Sequence, residues 1–146
     1  MKKLTVIKQM LLAGLSMLSL FGCLYQHQSS MVSMRLDVQP DAWEEVTLMM
    51  NNFSQQHELS FKNFSENYPS GNRKILLRMN SRQKAEVDVV GMFYPAETGV
   101  SSGINEWLAV SVYENASGSD WEVLAQALLE LLEQTWPGKV TILEKD

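Results

Sequence analysis

Chemically reactive side chains are scarce in this sequence. Its 146 residues include one cysteine, Cys23, and two histidines, His27 and His57. One cysteine excludes an intramolecular disulfide, and a structural zinc site needs clusters of Cys or His at ligand spacing, which the sequence lacks. His27 stands in a short polar stretch and His57 at the end of a predicted helix, so a serine nucleophile has no positioned base. These shortages argue against thiol, zinc and serine-hydrolase chemistry.

Other catalytic patterns are weak as well. The glycines of Gly99-Val-Ser-Ser-Gly103 have no adjacent lysine and no strand-to-helix context, so this stretch does not indicate a phosphate-binding loop. Carboxylates are plentiful, but they fall on predicted solvent-facing sides of a strand and a helix; these are Glu86, Asp88, Glu130 and Glu133. The sequence predicts a protein that is not an enzyme and that carries no metal and no cofactor.

Long apolar runs are also missing. The longest covers about twelve residues and ends at Phe21, which is the length of a signal-peptide core and well short of the roughly 20 residues that span a bilayer. Met1-Lys2-Lys3 precedes it with positive charge, and Leu20-Phe21-Gly22-Cys23 closes it. Gly22 presents no side chain to a peptidase. The pattern predicts a cleaved signal peptide over residues 1–22.

This ending resembles the lipobox of bacterial lipoproteins, and the resemblance covers residues 1–23. Phe21 is bulkier than the small residue usual at its position. The resemblance implies cleavage between Gly22 and Cys23, a thioether-linked diacylglycerol on Cys23 and acylation of its amino group by a fatty acid such as palmitate. Several acyl chains give stable anchoring. Two alternatives remain open, namely an ordinary secretory signal with an incidental cysteine and a short inner-membrane anchor.

The residue after the cysteine bears on location. Asp at this place retains diderm lipoproteins at the inner membrane, and here it is Leu24. In a diderm host, the resemblance therefore implies an outer-membrane lipoprotein that faces the periplasm. Residues 23–30 form a polar tether that reaches at most about 25 Å when extended. We expect the domain that follows to sit close to the membrane surface.

The charge balance restricts the partners. Removing residues 1–22 takes three of the 12 basic residues and none of the 17 acidic ones, which leaves nine basic residues and a net charge of −8. An acidic surface argues against binding nucleic acid, whose phosphates need neutralising. It is compatible with a basic protein partner, or with solubility alone.

Hydrophobic periodicity predicts a single α+β domain over residues 31–146. Amphipathic helices are expected near residues 41–56 and 119–136, each beginning at a capping box, which are Asp41 with Glu44 and Ser119 with Glu122. The predicted strands are residues 31–38, 58–66, 73–80, 84–94, 107–113 and 139–144. The order β-α-β-β-β-β-α-β predicts a mostly antiparallel sheet of five to six strands with both helices on one face. The plan resembles a ferredoxin-like fold expanded by an extra hairpin.

Three features are candidates for a recognition surface. Aromatic residues are expected to gather on the far side of the sheet; these are Phe64, Tyr94, Trp107 and Tyr113. A loop at residues 95–105 is longer than most hairpin loops. A basic cluster places five of the nine remaining basic residues within twelve positions; these are Arg73, Lys74, Arg78, Arg82 and Lys84. Core packing, solvent exposure and protection of an edge strand are the ordinary explanations of these features.

Together these patterns predict a lipid-anchored protein of the cell envelope that binds a protein partner without catalysis. Within this class, an immunity or inhibitor protein against an envelope-directed toxin is the first expectation. The alternative is an accessory or pilotin-like assembly lipoprotein of an envelope machine. A third hypothesis is a carboxylate-based hydrolase of envelope glycan or lipid.

Overall fold

Seven strands and two helices make up the part of the chain that the structure describes. The computed structural model describes residues 31–81, 83–95, 107–115 and 119–144. The predictions for the signal peptide, Cys23, the tether, Arg82 and most of the 95–105 loop lie outside these ranges. The elements are β1 (Val32–Leu36), α1 (Trp43–Gln56), β2 (Ser60–Asn63), β3 (Glu66–Asn67), β4 (Arg73–Asn80), β5 (Glu86–Phe93), β6 (Leu108–Tyr113), α2 (Trp121–Thr135) and β7 (Val140–Glu144).

The strands form one open antiparallel sheet in the order β2-β4-β5-β6-β1-β7, and β3 also pairs with β4. Helix α1 connects β1 to β2, and helix α2 connects β6 to β7. Neighbouring strands are antiparallel, and an odd number of strands separates the two members of each pair. Both helices therefore join strands that run parallel to one another. The predicted α+β fold is confirmed, with the β4–β5 hairpin as the expansion of a ferredoxin-like plan.

The seventh strand arises where the sequence predicted one strand, residues 58–66. β2 and β3 both pair with β4; between them the Phe64 N–H still donates to the Leu76 carbonyl at 2.8 Å, and the ladder is interrupted at Ser65. The Ser65 hydroxyl accepts a hydrogen bond from the Leu76 N–H at 3.1 Å, and the Asn63 side chain accepts one from the Ser65 N–H at 2.8 Å. Side chains therefore replace backbone partners at this point. The sheet therefore has seven strands in place of the predicted five to six, because this segment forms β2 and a separate two-residue strand, β3.

The helices pack on one face of the sheet, where alternate strand residues are apolar. The largest fully buried side chains come from both layers; they are Phe53, Met34, Leu36, Met50, Ile75, Leu77, Met79, Leu108, Leu128, Leu132, Val46 and Val87. This face of the sheet is consequently the protein core, and the opposite face is left without a covering layer among the described residues. None of the described helices is both long and apolar enough to cross a bilayer.

Gly91 lies at the tightest contact between the layers. A Cβ there would be 2.3 Å from Leu108 Cδ2 and 3.1 Å from Ile75 Cγ2, with a ring carbon of Trp43 at 3.4 Å. Gly91 pairs with Ile75 in an unbroken register, so β5 continues through it without a bulge. Its role is to let the Trp43 ring and the Leu108 side chain approach the strand backbone.

Neither predicted capping box forms. A 3₁₀ turn at Pro40–Ala42 precedes α1, so the helix begins beyond Asp41 and Ala42 takes the N-cap position without a side-chain hydrogen bond. Asp120 is the N-cap of α2, also without a side-chain hydrogen bond. Ser119 lies one residue too early to cap, and its buried hydroxyl has no partner among the described residues.

Candidate interaction surface on the open sheet face

The face of the sheet opposite the helices, named the open face, carries an apolar band across its middle. The band consists of Phe64, Leu76, Val90 and Ala109, which the strand register places side by side. Phe64 is 49% exposed and Val90 is 41% exposed. The uncovered face of an antiparallel sheet is normally polar, because it meets water. An apolar band there makes this face a candidate contact surface.

Aromatic side chains extend the band toward one end of the strands. Met92 lies on the same face as Val90, two residues further along β5. A cavity of about 200 Å³ lies beside it, lined by Tyr68, Ser70, Asn72, Met92 and Tyr94. The Tyr94 hydroxyl contacts the Met92 sulfur, and the Tyr68 hydroxyl donates to Glu66. This hydrogen bond raises the pKa of Tyr68 above its ordinary value, so the hydroxyl stays protonated. This region therefore combines apolar surface with the uncharged hydroxyl groups of two tyrosines.

Two cations on β4 flank the band. A second cavity of about 300 Å³ is lined by Phe64, Glu66, Lys74, Leu76 and Arg78. Lys74 and Arg78 are four residues apart on one strand, or about 13 Å, with Leu76 between them. In the described ranges Lys74 has no ion-pair or hydrogen-bond partner. The cavity therefore combines an apolar floor with an available positive charge.

Arg78 is held in a fixed position. Its guanidinium donates two hydrogen bonds to the Asp88 carboxylate, at 2.8 and 2.9 Å, and lies 3.6 Å from Glu86. Hydrogen bonding to Asp88 raises the pKa of Arg78 above its ordinary value, so it stays charged. The same contact occupies both oxygens of Asp88. Glu86 and Asp88 thus share one cation, which is an arrangement for structure rather than for paired acid–base catalysis.

Trp107 lies on the open face beside β5, at the same end of the strands as Met92 and Tyr94. The Arg35 guanidinium lies 5.3 Å from the centre of the Trp107 ring. The same guanidinium forms an ion pair with Asp37 at 2.6 Å. This cation–π contact orients the indole and leaves it partly exposed. Nearby, the Ser33 and Ser111 hydroxyls lie 3.4 Å apart across β1 and β6.

The structure places six of the predicted surface residues on the open face and two, Arg73 and Lys84, elsewhere. The six are Phe64, Lys74, Arg78, Tyr94, Trp107 and Tyr113. Arg73 points to the helix side, where it donates to the Pro40 carbonyl at 2.9 Å and lies 5.4 Å from the Trp43 ring. Lys84 donates to the His57 carbonyl at 2.5 Å. The basic cluster is therefore split between the two faces, because neighbouring residues of a strand point in opposite directions.

The sequence reasoning missed the centre of the apolar band. Its signal is two doubled apolar pairs, Leu76-Leu77 and Val89-Val90. In each pair one residue enters the core and the other must lie on the open face. The two pairs lie opposite each other because of the register between β4 and β5, and this register could not be predicted from the sequence.

His57 is the C-cap residue of α1. Its ring packs against Phe53 with the ring centres 4.2 Å apart. Within the described ranges, no group of three or more His, Cys, Asp or Glu residues is arranged to hold a metal ion. Partial burial and, secondarily, the charge of Lys84 lower the pKa of His57 below 6.5.

The His57 environment predicts a pH-dependent component of stability. Because the folded pKa is lowered, the unfolded state takes up the proton first as the pH falls through about 6.5. The contribution of neutral His57 to the free energy of unfolding is present above that pH and is lost as the pH falls through the folded pKa. Urea unfolding at pH 7.5 and 5.0 should show a larger loss for the wild type than for His57→Gln. Equal losses would contradict this.

Comparisons with known proteins add no family. No protein-family model, no curated protein sequence and no solved structure matches the chain. What the structure defines is the class of fold, an α+β domain with an open antiparallel sheet and two helices on one face.

Proposed function

We propose that this protein is a non-catalytic, lipid-anchored envelope protein that binds a protein partner on the open face of its sheet. The apolar band is the observation that carries the proposal. Burying Phe64 and Val90 against a partner would remove apolar surface from water, which is the main favourable term in protein association. Lys74, Arg78 and the tyrosines would form a polar rim that fixes orientation.

The position of the surface supports a partner that approaches from the aqueous side. The chain enters the sheet at Met31, whose N–H donates to the Val112 carbonyl at 2.8 Å. Trp107 and Tyr94 lie at the other end of the strands, about 17 Å away for five residues of extended chain. If Cys23 is lipidated at the outer membrane, a tether attached at Met31 holds that end nearer the membrane. The aromatic end then faces away from it.

Within this class we favour an immunity or inhibitor protein that occupies an envelope-directed toxin. A small acidic domain, a short tether and a preformed surface suit an inhibitor, which only has to bind and block. The second candidate is an accessory or pilotin-like assembly lipoprotein. It is favoured by the uncovered edge of β7, which offers backbone hydrogen bonds to another chain.

Capture from envelope extract tests the proposal. Chain carrying Cys23→Ser is expected to retain one partner at low and moderate salt, because the binding is largely apolar. The same variant, exported behind an ordinary cleavable secretory signal in place of residues 1–22, should leave the membrane fraction, since both the acyl chains and the apolar segment are lost. No retained partner at either salt concentration, or a variant that stays membrane-bound, would contradict the respective half of the proposal.

Deletion distinguishes the two candidates. Cells that lose an immunity protein grow normally alone and are harmed only when the toxin is present. Cells that lose an assembly factor show a defect when grown alone.

A further inference from the structure

The two edges of the sheet differ in how they are protected. At one edge, β2 and β3 are short, their ladder is interrupted at Ser65, and Lys62 and Glu66 stand at exposed positions. Short strands, breaks and charges are the usual protection of an edge against pairing with another chain. This edge is closed to such pairing.

The other edge, β7, is less protected: its ladder with β1 shifts register once, between Ser33 and Met34, and the charged residues Lys139 and Glu144 stand only at its two ends. Ile142 is 53% exposed and Leu143 is 47% exposed, Thr141 between Val140 and Ile142 is exposed too, and no charged residue stands between Lys139 and Glu144. β7 pairs with β1 on one side only, and no other strand of the described chain lies beyond it. Its outward backbone groups are therefore available for another strand.

A groove runs beside this edge on the helix face. It has a volume of about 310 Å³ and lies between α2 and the strands β1 and β7. Its walls are mostly apolar, with Glu122 and Gln126 as the polar members; the lining is Val32, Met34, Trp121, Glu122, Ala125, Gln126, Leu129 and Ile142. A strand added outside β7 would direct every second side chain toward this groove.

The charge of α2 indicates the occupant. Between Trp121 and Thr135 the helix contains three glutamates and no lysine or arginine; these are Glu122, Glu130 and Glu133. Helical spacing places Glu133 on the same side of α2 as Glu122 and Gln126. In a strand added outside β7, a basic side chain would fit beside Glu122 while an apolar side chain two residues away lies against Ile142.

The same charge argues against a second copy of this chain. Antiparallel pairing of two β7 edges about a two-fold axis places both α2 helices on the same face. Two acidic helices would then face each other across the joined edges, and like-charge juxtaposition is unfavourable.

From these observations we infer that the β7 edge is a second binding site, which takes an extended protein segment by strand addition. The segment carries an apolar and a basic side chain two residues apart on one side. Main-chain hydrogen bonds to β7 supply affinity, and the groove with Glu122 supplies selectivity. This site is separate from the open face and does not depend on the function proposed for that face.

A synthetic octapeptide tests the site. Every second residue of the peptide is threonine, and the remaining positions are alternately valine and lysine. One control peptide has glutamate in place of lysine, and another has proline in place of threonine, which removes backbone donors. The lysine peptide should bind the detergent-solubilised full chain by fluorescence anisotropy and slow hydrogen exchange in residues 139–144. Both controls should bind at least about tenfold more weakly.

Matched variants locate the contact. Ile142→Lys and Glu122→Lys should each weaken binding of the lysine peptide by at least about tenfold. Val123→Lys makes the same charge change as Ile142→Lys at a 71% exposed residue of α2 that does not line the groove, and should change binding less than about twofold. Val90→Glu on the open face should leave peptide binding unchanged, which separates this site from the function proposed above.

Four results would overturn the inference. They are unchanged exchange in residues 139–144 at about 1 mM lysine peptide, equal binding of the glutamate peptide, protection of β7 that grows with protein concentration alone, and protection that appears on transfer to phosphatidylethanolamine vesicles without peptide. The third outcome would assign the edge to a second copy, and the fourth to a lipid surface.

Discussion

Replacing Trp43 with alanine is expected to lower the free energy of unfolding by about 3–5 kcal/mol, the range for removing a large aromatic side chain from a core. Trp43 is 3% exposed and packs where Gly91 lets the helix approach the sheet. The close fit leaves little room for neighbours to fill the cavity. Urea unfolding of Trp43→Ala and wild type measures the loss.

Trp107 provides the matched control for this prediction. It is the same residue type on the opposite face of the same sheet, partly exposed and held by Arg35 at 5.3 Å. Trp107→Ala should cost only about 1 kcal/mol, which is the scale of an exposed cation–π contact. Trp43→Phe should recover most of the loss, because the buried indole N–H has no acceptor among the described residues. Similar costs for Trp43→Ala and Trp107→Ala would contradict the assignment of the two faces.

Replacing Val90 with glutamate is expected to weaken partner binding by at least about a hundredfold, or about 2.7 kcal/mol. Val90 stands in the middle of the apolar band between Leu76 and Ala109. A partner that covers the band would bury the new carboxylate against apolar surface, and removing a charge from water is unfavourable even with Lys74 nearby. Stability should change by no more than about 1 kcal/mol, since the site meets water in the free protein. Titration of purified partner against wild type and Val90→Glu measures the effect.

Leu48→Glu is the control for this substitution. Leu48 is an exposed apolar residue of α1, 62% accessible, on the opposite side of the molecule. The same change of chemistry there should leave partner binding within about twofold of the wild type. If Leu48→Glu weakened binding as much as Val90→Glu, the effect would come from net charge and not from the open face.

Lys74 should act mainly on the rate of association. It has no partner among the described residues, and it stands at the rim of the band. Lys74→Gln is expected to slow association with a partner whose facing surface is acidic, several-fold at low salt and little at high salt, because opposite charges at the rim steer encounter. This dependence on salt separates a steering charge from a buried contact such as Val90.

Much of the fold follows from local patterns. The helical spacing of Trp43, Val46, Met50 and Phe53 identified the buried side of α1, and all four are buried. The alternation in Leu108-Ala-Val-Ser-Val112 identified the core side of β6. These predictions succeeded because each rests on one periodic element and on the burial of its apolar side.

The site depends on features that lie between elements. Val90 and Leu76 are ordinary strand residues until the register places them beside Phe64 and Ala109. The basic cluster looked contiguous because Arg73 and Lys74 are adjacent in sequence, although adjacent strand residues face opposite sides. The capping boxes failed because Pro40 and Asp120 each shift the start of a helix. The position of a residue in the sequence does not by itself decide where a helix begins or which strand residues lie side by side.

Photo-cross-linking in cells tests the central claim most directly. A benzoylphenylalanine at position 90 is expected to form one discrete adduct with the partner, because the open face lies in the interface. The same group at position 48 should form no such adduct, and Lys74→Glu with Arg78→Glu should remove the position-90 adduct. Adducts from position 48 alone, or from both positions with the same partner and equal yield, would contradict binding on the open face.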